Sequence, residues 1–505
     1  MPDSQYKSAA VLSYVNFILT NVLGLIITPF IIRKLGASQY GLYALIGAFV
    51  GYLSILDLGL NNAIIRFVSH YRAKGNKCEE ENFLAVCLIL YSLISILIIA
   101  AGVFLYKNLD FLFDRTLSVE EMSQAKTMMI ILIINFAVTI PGGAFVGICT
   151  GYEKFIFPRL LTIIKYVVRT ILVVSILYMG CNAVGIVIVD TVLNAVFIII
   201  TAWYVFKILK VRIKLHTFNL SFIREIVNYS FFIFLYAFIY QIQWRSGQFI
   251  LGISSNTTIV GIYSVGVMLG IYYTTIGSII NDLMLPKAVQ SVSNGTDFYQ
   301  LTEQMIRIGR LTMFTLLYFL GAFILIGQNF IDLWVGETYA SSWIVALLIM
   351  IAYTIPMAQG YAHSILEATK SLKFRTCSFL IFVVSGLLSG WLLSYIYGST
   401  GMIIGLFAGM MVFQLVMNIY YNKMGFRIWS FFKKTILPYM LPFMLVLGLS
   451  YLIFLFFDQN NWYGFFAKCI IYSVIYFFVL IPFLTKEERS LIFKMPLISK
   501  IKADE

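Results

Sequence analysis

The amino-acid sequence predicts an all-α integral membrane protein with about fourteen transmembrane helices. Hydrophobic residues make up 60% of the 505 residues and charged residues only 12%. A soluble chain carries about 25% charged residues. The apolar residues come in blocks that are long enough for a helix to cross about 30 Å of hydrocarbon, and they lack the alternation of membrane strands.

Charged or turn-rich breaks between the apolar blocks set the bounds of the predicted spans, within about two to four residues. The first block is not followed by a small-residue cleavage site, so the first span is expected to be retained. The predicted spans are 10–32, 40–65, 83–106, 126–149, 157–178, 183–206, 226–253, 257–284, 308–330, 342–366, 374–396, 401–421, 434–456 and 462–485.

The basic residues predict the orientation of these spans. Of the 36 Lys and Arg residues, 27 fall on the two termini and the loops on their side, and six fall on the opposite side. The positive-inside rule therefore places both termini in the cytoplasm. The net charge of +13 is explained by this topology and does not indicate nucleic-acid binding.

Several classes of function are not expected, because the sequence lacks the motifs that they require. The six Cys and three His residues are dispersed, with no CxxC pair, so neither a disulfide scaffold nor a metal site is predicted. No loop contains GxxxxGK[ST], so the protein is not expected to hydrolyse ATP. The predicted external loops are too short for a receptor ectodomain.

Two segments of the chain resemble each other. YGLYALIGAF begins the second span and VGIYSVGVML begins the eighth, and Gly41 pairs with Gly261, and Tyr43 with Tyr263, at an offset of 220 residues. One interpretation is an internal repeat, and the alternative is chance similarity between two Gly-Tyr helix starts.

The repeat predicts two lobes of six spans each, 1–206 and 226–421. Because six is even, both copies enter the membrane in the same direction, as in parallel repeats with pseudo-two-fold symmetry about the membrane normal. The basic segment 207–225 is the predicted connector. Spans 13 and 14 and a cytoplasmic tail occupy 422–505.

Three cations fall inside predicted spans: Lys165 and Arg169 in the fifth, and Arg245 in the seventh. A lipid-facing cation at the bilayer centre costs about 2.5–3.5 kcal/mol of free energy, so these side chains should face protein or a water-filled cavity. Lys165 and Arg169 share one helix face and have no acidic neighbour on that helix. Such a basic face suits an anion, and a guanidinium binds phosphate oxygens bidentately.

The alternative is that these cations pair with the two acids in the spans, Asp57 and Asp190. Asp57 would carry a coupling proton or Na⁺, or neutralise a neighbouring Arg. Asp190 would be a coupling group or a helix-packing partner.

The seventh span also carries an aromatic stripe, Tyr236, Tyr240 and Trp244, with Gln241 and Gln243 beside it. Aromatic faces and amides suit the apolar faces and hydroxyl edges of sugar rings. The alternative is helix packing or an interfacial belt.

Three segments of the chain carry specific motifs. Residues 18–68 have a late Pro in the first span, then R-x-LG-x-x-x-YG, LDLGL and a closing basic residue. The other two segments are QFILGISSNTTIVGIYSVGVML at 248–269 and GYEKFIFPRLL at 151–161. Together they resemble Wzx-type oligosaccharide flippases, the polysaccharide biosynthesis proteins of the multidrug/oligosaccharidyl-lipid/polysaccharide (MOP) exporter superfamily. The second and third segments resemble that family's seventh-to-eighth junction and its fifth-span entry.

The resemblance implies export of an undecaprenyl-pyrophosphate-linked oligosaccharide, a repeat unit of O-antigen, capsule or exopolysaccharide, across the bacterial cytoplasmic membrane. Alternating access would move it without chemistry, so the protein is not expected to be an enzyme or to need a cofactor, apart from a coupling H⁺ or Na⁺. Lys165, Arg169, Arg245 and Arg33 would bind the pyrophosphate, although anchoring at outer headgroups is the preferred reading of Arg33. A polysaccharide polymerase and a chain-length regulator are implied partners.

Three rival functions stay open from the sequence. A lipid II flippase shares the fourteen-helix layout. A drug/cation antiporter should carry an acid in the C-terminal lobe, where 226–421 has no mid-membrane carboxylate. A membrane polymerase or glycosyltransferase is the third rival. It needs a catalytic carboxylate or a large external loop, and neither is evident in this sequence.

Overall fold

The computed structural model describes residues 3–54, 59–216, 220–282, 284–369, 371–456, 461–485 and 488–489. These residues form α-helices and short 3₁₀ and π-helical turns, and no strand occurs among them. The predicted all-α class is therefore confirmed.

The chain divides into two compact units, Met1–Gly261 and Ile262–Glu505. The predicted lobes 1–206 and 226–421, the connector 207–225 and the appendage 422–505 stay predictions. The helices of the first unit are α1 (Asp3–Leu35), α2 (Ala37–Ser54), α3 (Leu60–Ala73), α4 (Lys77–Lys107), α5 (Leu109–Phe113), α6 (Val119–Gly151), α7 (Ile156–Tyr178), α8 (Ala183–Trp203), α9 (Leu220–Ser254) and the start of α10 (Thr257–Asp282). A π-helical turn, Tyr204–Ile208, follows α8.

The second unit contains the rest of α10 and the remaining helices. These are α11 (Leu285–Ser293), α12 (Phe298–Trp334), α13 (Ser342–Ala358), α14 (Gly360–Ala368), α15 (Lys373–Met424), α16 (Ile428–Phe431), α17 (Leu437–Phe454) and α18 (Trp462–Leu480).

The lengths and apolarity of the helices are those of a multi-pass membrane protein. Within the described ranges, nine helices are long and apolar enough to cross a membrane, or ten if α13 and α14, bent by 55°, form one broken span. The predicted count of fourteen is not confirmed.

The second predicted span, 40–65, is wrong as a single helix. α2 ends at Ser54 and α3 begins at Leu60, after Gly59 with φ of 73°. Glycine adopts this left-handed conformation without a steric penalty, so the helix is interrupted while the sequence stays apolar. Asp57 lies outside the described residues.

α15 is also interrupted by glycine. At Gly398, φ is 55° and ψ is −130°, and the two halves then pack against each other. A Cβ on Gly386 would lie 3.0 Å from the carbonyl oxygen of Gly405, and one on Gly390 would lie 2.6 Å from that of Met402. Small residues allow such close backbone contact between membrane helices. The two halves correspond to the predicted spans 374–396 and 401–421.

Some helices begin earlier than predicted because their first turns contain charged residues, which resemble loop residues in the sequence. α6 begins at Val119 instead of 126, behind a capping box formed by Ser118 and Glu121. α12 begins at Phe298 instead of 308, capped by Asp297. Acidic and capping residues stabilise a helix N-terminus, so a charge there does not end the helix.

The first turns of α2, α6 and α10 meet at Glu121. Its Oε1 accepts hydrogen bonds from the hydroxyls of Ser38 (2.5 Å) and Thr257 (2.7 Å). The helices also touch through the two glycines that the internal similarity pairs, because a Cβ on Gly261 would lie 3.3 Å from Cα of Gly41. A Cβ on Gly41 would overlap the carbonyl of Thr257. Only glycine fits at position 41 without displacing the start of α10.

Candidate functional site

The polar residues of the candidate site lie on α2, α6, α7, α8 and α9 of the first unit, and these helices pack together. α7 packs against α1 and α8, α6 packs against α8, and α2 packs against α9. Glycines allow two of these approaches, since a Cβ on Gly142 would lie 2.6 Å from Cδ1 of Ile198, and one on Gly252 would lie 2.5 Å from Cδ1 of Leu45. The side chains between these helices are held by packing on several sides.

Arg169 on α7 forms a bidentate ion pair with Asp190 on α8. Its Nε donates to Oδ1 of Asp190 at 2.6 Å and its Nη2 donates to Oδ2 at 2.9 Å. Nη2 also donates to the hydroxyl of Tyr43 on α2 at 3.3 Å. The two charged side chains are partly buried, 23% and 25% exposed. Arg169 is therefore paired with an acid inside the spans, and that acid, Asp190, is on the next helix, α8.

Lys165 lies one turn before Arg169 and has neutral hydrogen-bond partners. Its Nζ donates to Oδ1 of Asn194 on α8. Asn194 in turn donates to Oδ1 of Asn135 on α6 at 3.0 Å. Lys165 is within electrostatic range of Asp190 and Arg169. These two cations and one carboxylate carry a net charge of +1, which favours an additional anion.

Arg245 on α9 lies against α2, the helix that carries Tyr43. A Cβ on Gly51 would lie 3.0 Å from Cγ of Arg245. Tyr43 is within electrostatic range of Arg169, Asp190 and Arg245. The structure therefore brings Arg169 and Arg245 close to Tyr43, with Lys165 one turn from Arg169. We call Tyr43, Lys165, Arg169, Asp190 and Arg245 the cationic cluster.

Open space adjoins the cluster at Gly47. Tyr43, Gly47 and Gly51 follow one another at four-residue intervals on α2, so they lie along one side of the helix. A Cβ on Gly47 would meet no described atom within 4 Å. The side of α2 between Tyr43 and the Arg245 contact is therefore notched.

Arg33 is an exposed residue in the last turn of α1. The neighbouring Lys34 places its Nζ 4.5 Å from the ring centroid of Tyr178, at the end of α7. Tyr178 is nine residues beyond Arg169, or about 13 Å along a helix. The pyrophosphate role of Arg33 stays a prediction.

The predicted sugar contacts on α9 do not share one environment. Tyr240 is 45% exposed, whereas Trp244 is 7% and Gln243 is 8% exposed. The rings of Tyr240 and Trp244 lie 6.2 Å apart. Gln241 approaches Gly51 beside Arg245. The side chain of Tyr236 lies outside the described residues, and these sugar-binding roles stay predictions.

Sequence reasoning did not single out Tyr43, Asn194 and Asn135 as site residues. A signal for Asn194 existed, because it lies four residues after Asp190 and therefore on the same face of α8. Tyr43 belongs to the YGLY segment, but its sequence position alone could not show that α2 faces α7 and α9.

The helices and the cationic cluster define a multi-span membrane protein with a charged site inside its apolar helices. A family model described as "Polysaccharide biosynthesis protein" matches residues 6–286, more than half of the chain. The chain belongs to this family, which confirms the resemblance found in the sequence.

Solved structures share the fold at low sequence identity. "Lipid II flippase MurJ, inward closed conformation" matches with a TM-score of 0.70 and 17% identity, covering 96% of this chain and 99% of MurJ. An inward-facing multidrug resistance MATE family transporter of the MOP superfamily matches with a TM-score of 0.62 and 14% identity, over 84% of this chain and 99% of that one. The chain therefore shares its fold with these two solved structures.

A curated relative aligns over a shorter stretch. "Uncharacterized membrane protein EpsK" of Bacillus subtilis (strain 168) is 26% identical over 117 residues, which is 23% of this chain. The alignment spans 22% of the length of EpsK.

Proposed function

We propose that the protein is a flippase that carries an undecaprenyl-pyrophosphate-linked oligosaccharide from the inner to the outer leaflet of the bacterial cytoplasmic membrane. The observation that carries the proposal is the cationic cluster, which has more cations than acids within apolar helices. Membership of the polysaccharide biosynthesis family and the transporter fold support the same assignment.

The proposed binding step is an exchange of anions at Arg169. Asp190 presents two carboxylate oxygens to the guanidinium, the geometry in which Arg also binds phosphate. The diphosphate replaces Asp190 at Arg169, and Lys165 adds a second cation one turn away. Asp190 then either stays charged beside Lys165 or takes up a proton, which would couple transport to H⁺. Na⁺ is the alternative coupling ion.

The head group needs space as well as charge, and the notch at Gly47 provides it. The notch lies between Tyr43, which contacts Arg169, and Gly51, which contacts Arg245. A diphosphate that spans the two arginines would pass over Gly47. The first sugar would then lie near Gln241 and the α9 aromatics.

The membrane potential contributes to export. Moving two negative charges outward across 100 mV, negative inside, releases about 4.6 kcal/mol. Alternating access with this driving force makes or breaks no bond. In the proposed orientation both termini are cytoplasmic, and a polysaccharide polymerase and a chain-length regulator would act on the product outside.

The test is leaflet transfer in proteoliposomes that contain the purified protein and a fluorescent undecaprenyl-pyrophosphate-linked oligosaccharide. The double variant Arg169→Gln, Lys165→Ala should reconstitute normally and transfer no lipid. Lys107→Gln is the matched control, because it removes an exposed cation at the end of α4. Equal transfer by wild type and the double variant would contradict the proposal.

Lipid II is the second candidate substrate, and the fold likeness to MurJ favours it. It offers the same pyrophosphate to the cluster and differs in its sugar and peptide. The same vesicles with fluorescent lipid II decide between the two substrates. Faster transfer of lipid II would assign the protein to cell-wall precursor export.

A further inference from the structure

A groove of about 290 Å³ lies at the turn between α6 and α7. Its walls are apolar and aromatic, including Phe155, Phe157, Leu160 and Tyr204. Lys154 and Glu153 line the same groove. The groove therefore combines an apolar interior with charged groups, and no step of the proposed transport uses it.

The aromatic wall of the groove is held by packing. The rings of Phe157 and Tyr204 stack with centroids 3.8 Å apart and planes within 12°. Tyr204 begins the π-helical turn after α8, and π-helical turns are frequent at functional sites. The opposite edge is fixed by Glu153, with φ of 59°, and by the hydrogen bond from N of Lys154 to the carbonyl of Cys149 (2.9 Å).

Two basic side chains, Lys154 and Arg159, lie at the groove. Lys154 is exposed, and the guanidinium of Arg159 lies 5.7 Å from the ring centroid of Phe155. With the carboxylate of Glu153, the three groups carry a net charge of +1. The positive-inside rule assigns this end of α6, α7 and α8 to the cytoplasmic boundary of the membrane.

The surface beside the groove is apolar. Leu160 is 45% exposed, Trp203 is 56% exposed and Phe206 is 44% exposed. Exposed aromatics next to Lys and Arg are typical of the membrane–water interface. A lipid in the cytoplasmic leaflet can therefore reach the groove from the side without leaving the membrane.

We infer that this groove binds a polyprenyl phosphate carrier lipid, with part of its chain between Leu160 and the Phe157–Tyr204 stack and its phosphate beside Lys154 and Arg159. A chain alone would not require the cations, and a soluble phosphate would not require the apolar walls. An anionic phospholipid has the same chemistry and is the alternative that the test distinguishes.

The groove lies on the helix that carries the cationic cluster. Phe157 is eight residues before Lys165, about 12 Å along α7. A carrier lipid bound there would hold its phosphate on the cytoplasmic approach to Lys165 and Arg169. The inference requires lipid binding only, so it stands even if the transported substrate is not the proposed one.

Native mass spectrometry of the full-length protein in detergent tests the inference with three probes: undecaprenyl monophosphate, phosphatidylglycerol and zwitterionic phosphatidylcholine. Lys154→Gln removes the exposed cation, and Leu160→Trp fills the groove. The matched controls are Lys107→Gln and Ile171→Trp, since Ile171 is 59% exposed on α7 and does not line the groove.

We expect each groove variant to weaken binding of the anionic lipids about fivefold and each control to leave it unchanged. If undecaprenyl monophosphate binds more tightly than phosphatidylglycerol, the groove is a carrier-lipid site. If the two bind equally and both respond to the variants, the groove takes anionic phospholipids in general, which would overturn the assignment to the carrier lipid. Unchanged affinity in both Lys154→Gln and Leu160→Trp would overturn the inference.

Discussion

Arg169 and Asp190 face each other across α7 and α8 with two hydrogen bonds of 2.6 and 2.9 Å. The pair explains how a guanidinium is tolerated among apolar helices, because a paired cation costs far less in hydrocarbon than an unpaired one. It also places a carboxylate anion inside the cationic cluster. Any phosphate that binds Arg169 must compete with that carboxylate.

The first prediction concerns Asp190→Asn. Loss of the carboxylate leaves Arg169 with an incompletely satisfied guanidinium, which should lower stability by about 1–3 kcal/mol. Inorganic pyrophosphate should then stabilise the variant more than the wild type, since it no longer competes with Asp190. Thermal unfolding of the purified protein with and without pyrophosphate measures both effects. Equal pyrophosphate-induced shifts in Tm would contradict the competition.

The second prediction concerns the notch at Gly47. Replacing Gly47 with Ala, Val and Leu should reduce oligosaccharide transfer progressively, because each added carbon fills space beside Tyr43. The fold should persist, since glycine is the poorer helix former by about 1 kcal/mol relative to alanine. Transfer is measured in the fluorescent proteoliposome assay.

Gly448 on α17 provides the matched control for this series. A Cβ there also meets no described atom within 4 Å, and the position is in the second unit. Gly448→Leu should therefore transfer lipid at the wild-type rate. Undiminished transfer by Gly47→Leu would show that the notch holds no head group.

The third prediction concerns the contact between α2 and α10. The hydroxyls of Ser38 and Thr257 lie 3.3 Å apart, close enough for a disulfide after Ser38→Cys and Thr257→Cys. In the proposed alternating access between the predicted lobes 1–206 and 226–421, the starts of these helices separate, so oxidation should stop transfer and reduction should restore it. Each single-cysteine variant is the control, because six native cysteines are present. Full transfer by the cross-linked protein would mean that this contact does not open.

The fourth prediction uses the C-terminal ion pair. Arg310 on α12 donates to Glu488 at 2.7 and 3.2 Å, and N of Thr485 donates at 2.7 Å. Burial alone would raise the pKa of Glu488, but these hydrogen bonds outweigh it and lower the pKa below its usual value of about 4.5. The stability from the depressed pKa is present above pH 4.5 and is lost as pH falls through the folded pKa.

Unfolding midpoints measured below pH 6 test this dependence. Wild type should lose stability below about pH 4.5 more steeply than Glu488→Gln, which has no carboxyl group to titrate. Parallel curves would show that Glu488 does not contribute through its charge.

Composition and charge were sufficient to predict the helical membrane class and the three cations inside spans. They gave Asp190 only as one alternative partner of Arg169, because Asp190 lies 21 residues away and the rotation of α8 against α7 depends on packing. The interruption at Gly59 was missed because most residues on both sides of it are apolar. Tyr43 was identified only as part of a repeat, and its place between Arg169 and Arg245 depends on how α2 packs.

Binding of undecaprenyl diphosphate to the purified protein tests the central claim most directly. Titration calorimetry in detergent should give an affinity for wild type and Lys107→Gln that falls about tenfold or more in Arg169→Gln and again in the double variant with Lys165→Ala. The same affinity in all four proteins would contradict the assignment of the cationic cluster as the diphosphate site.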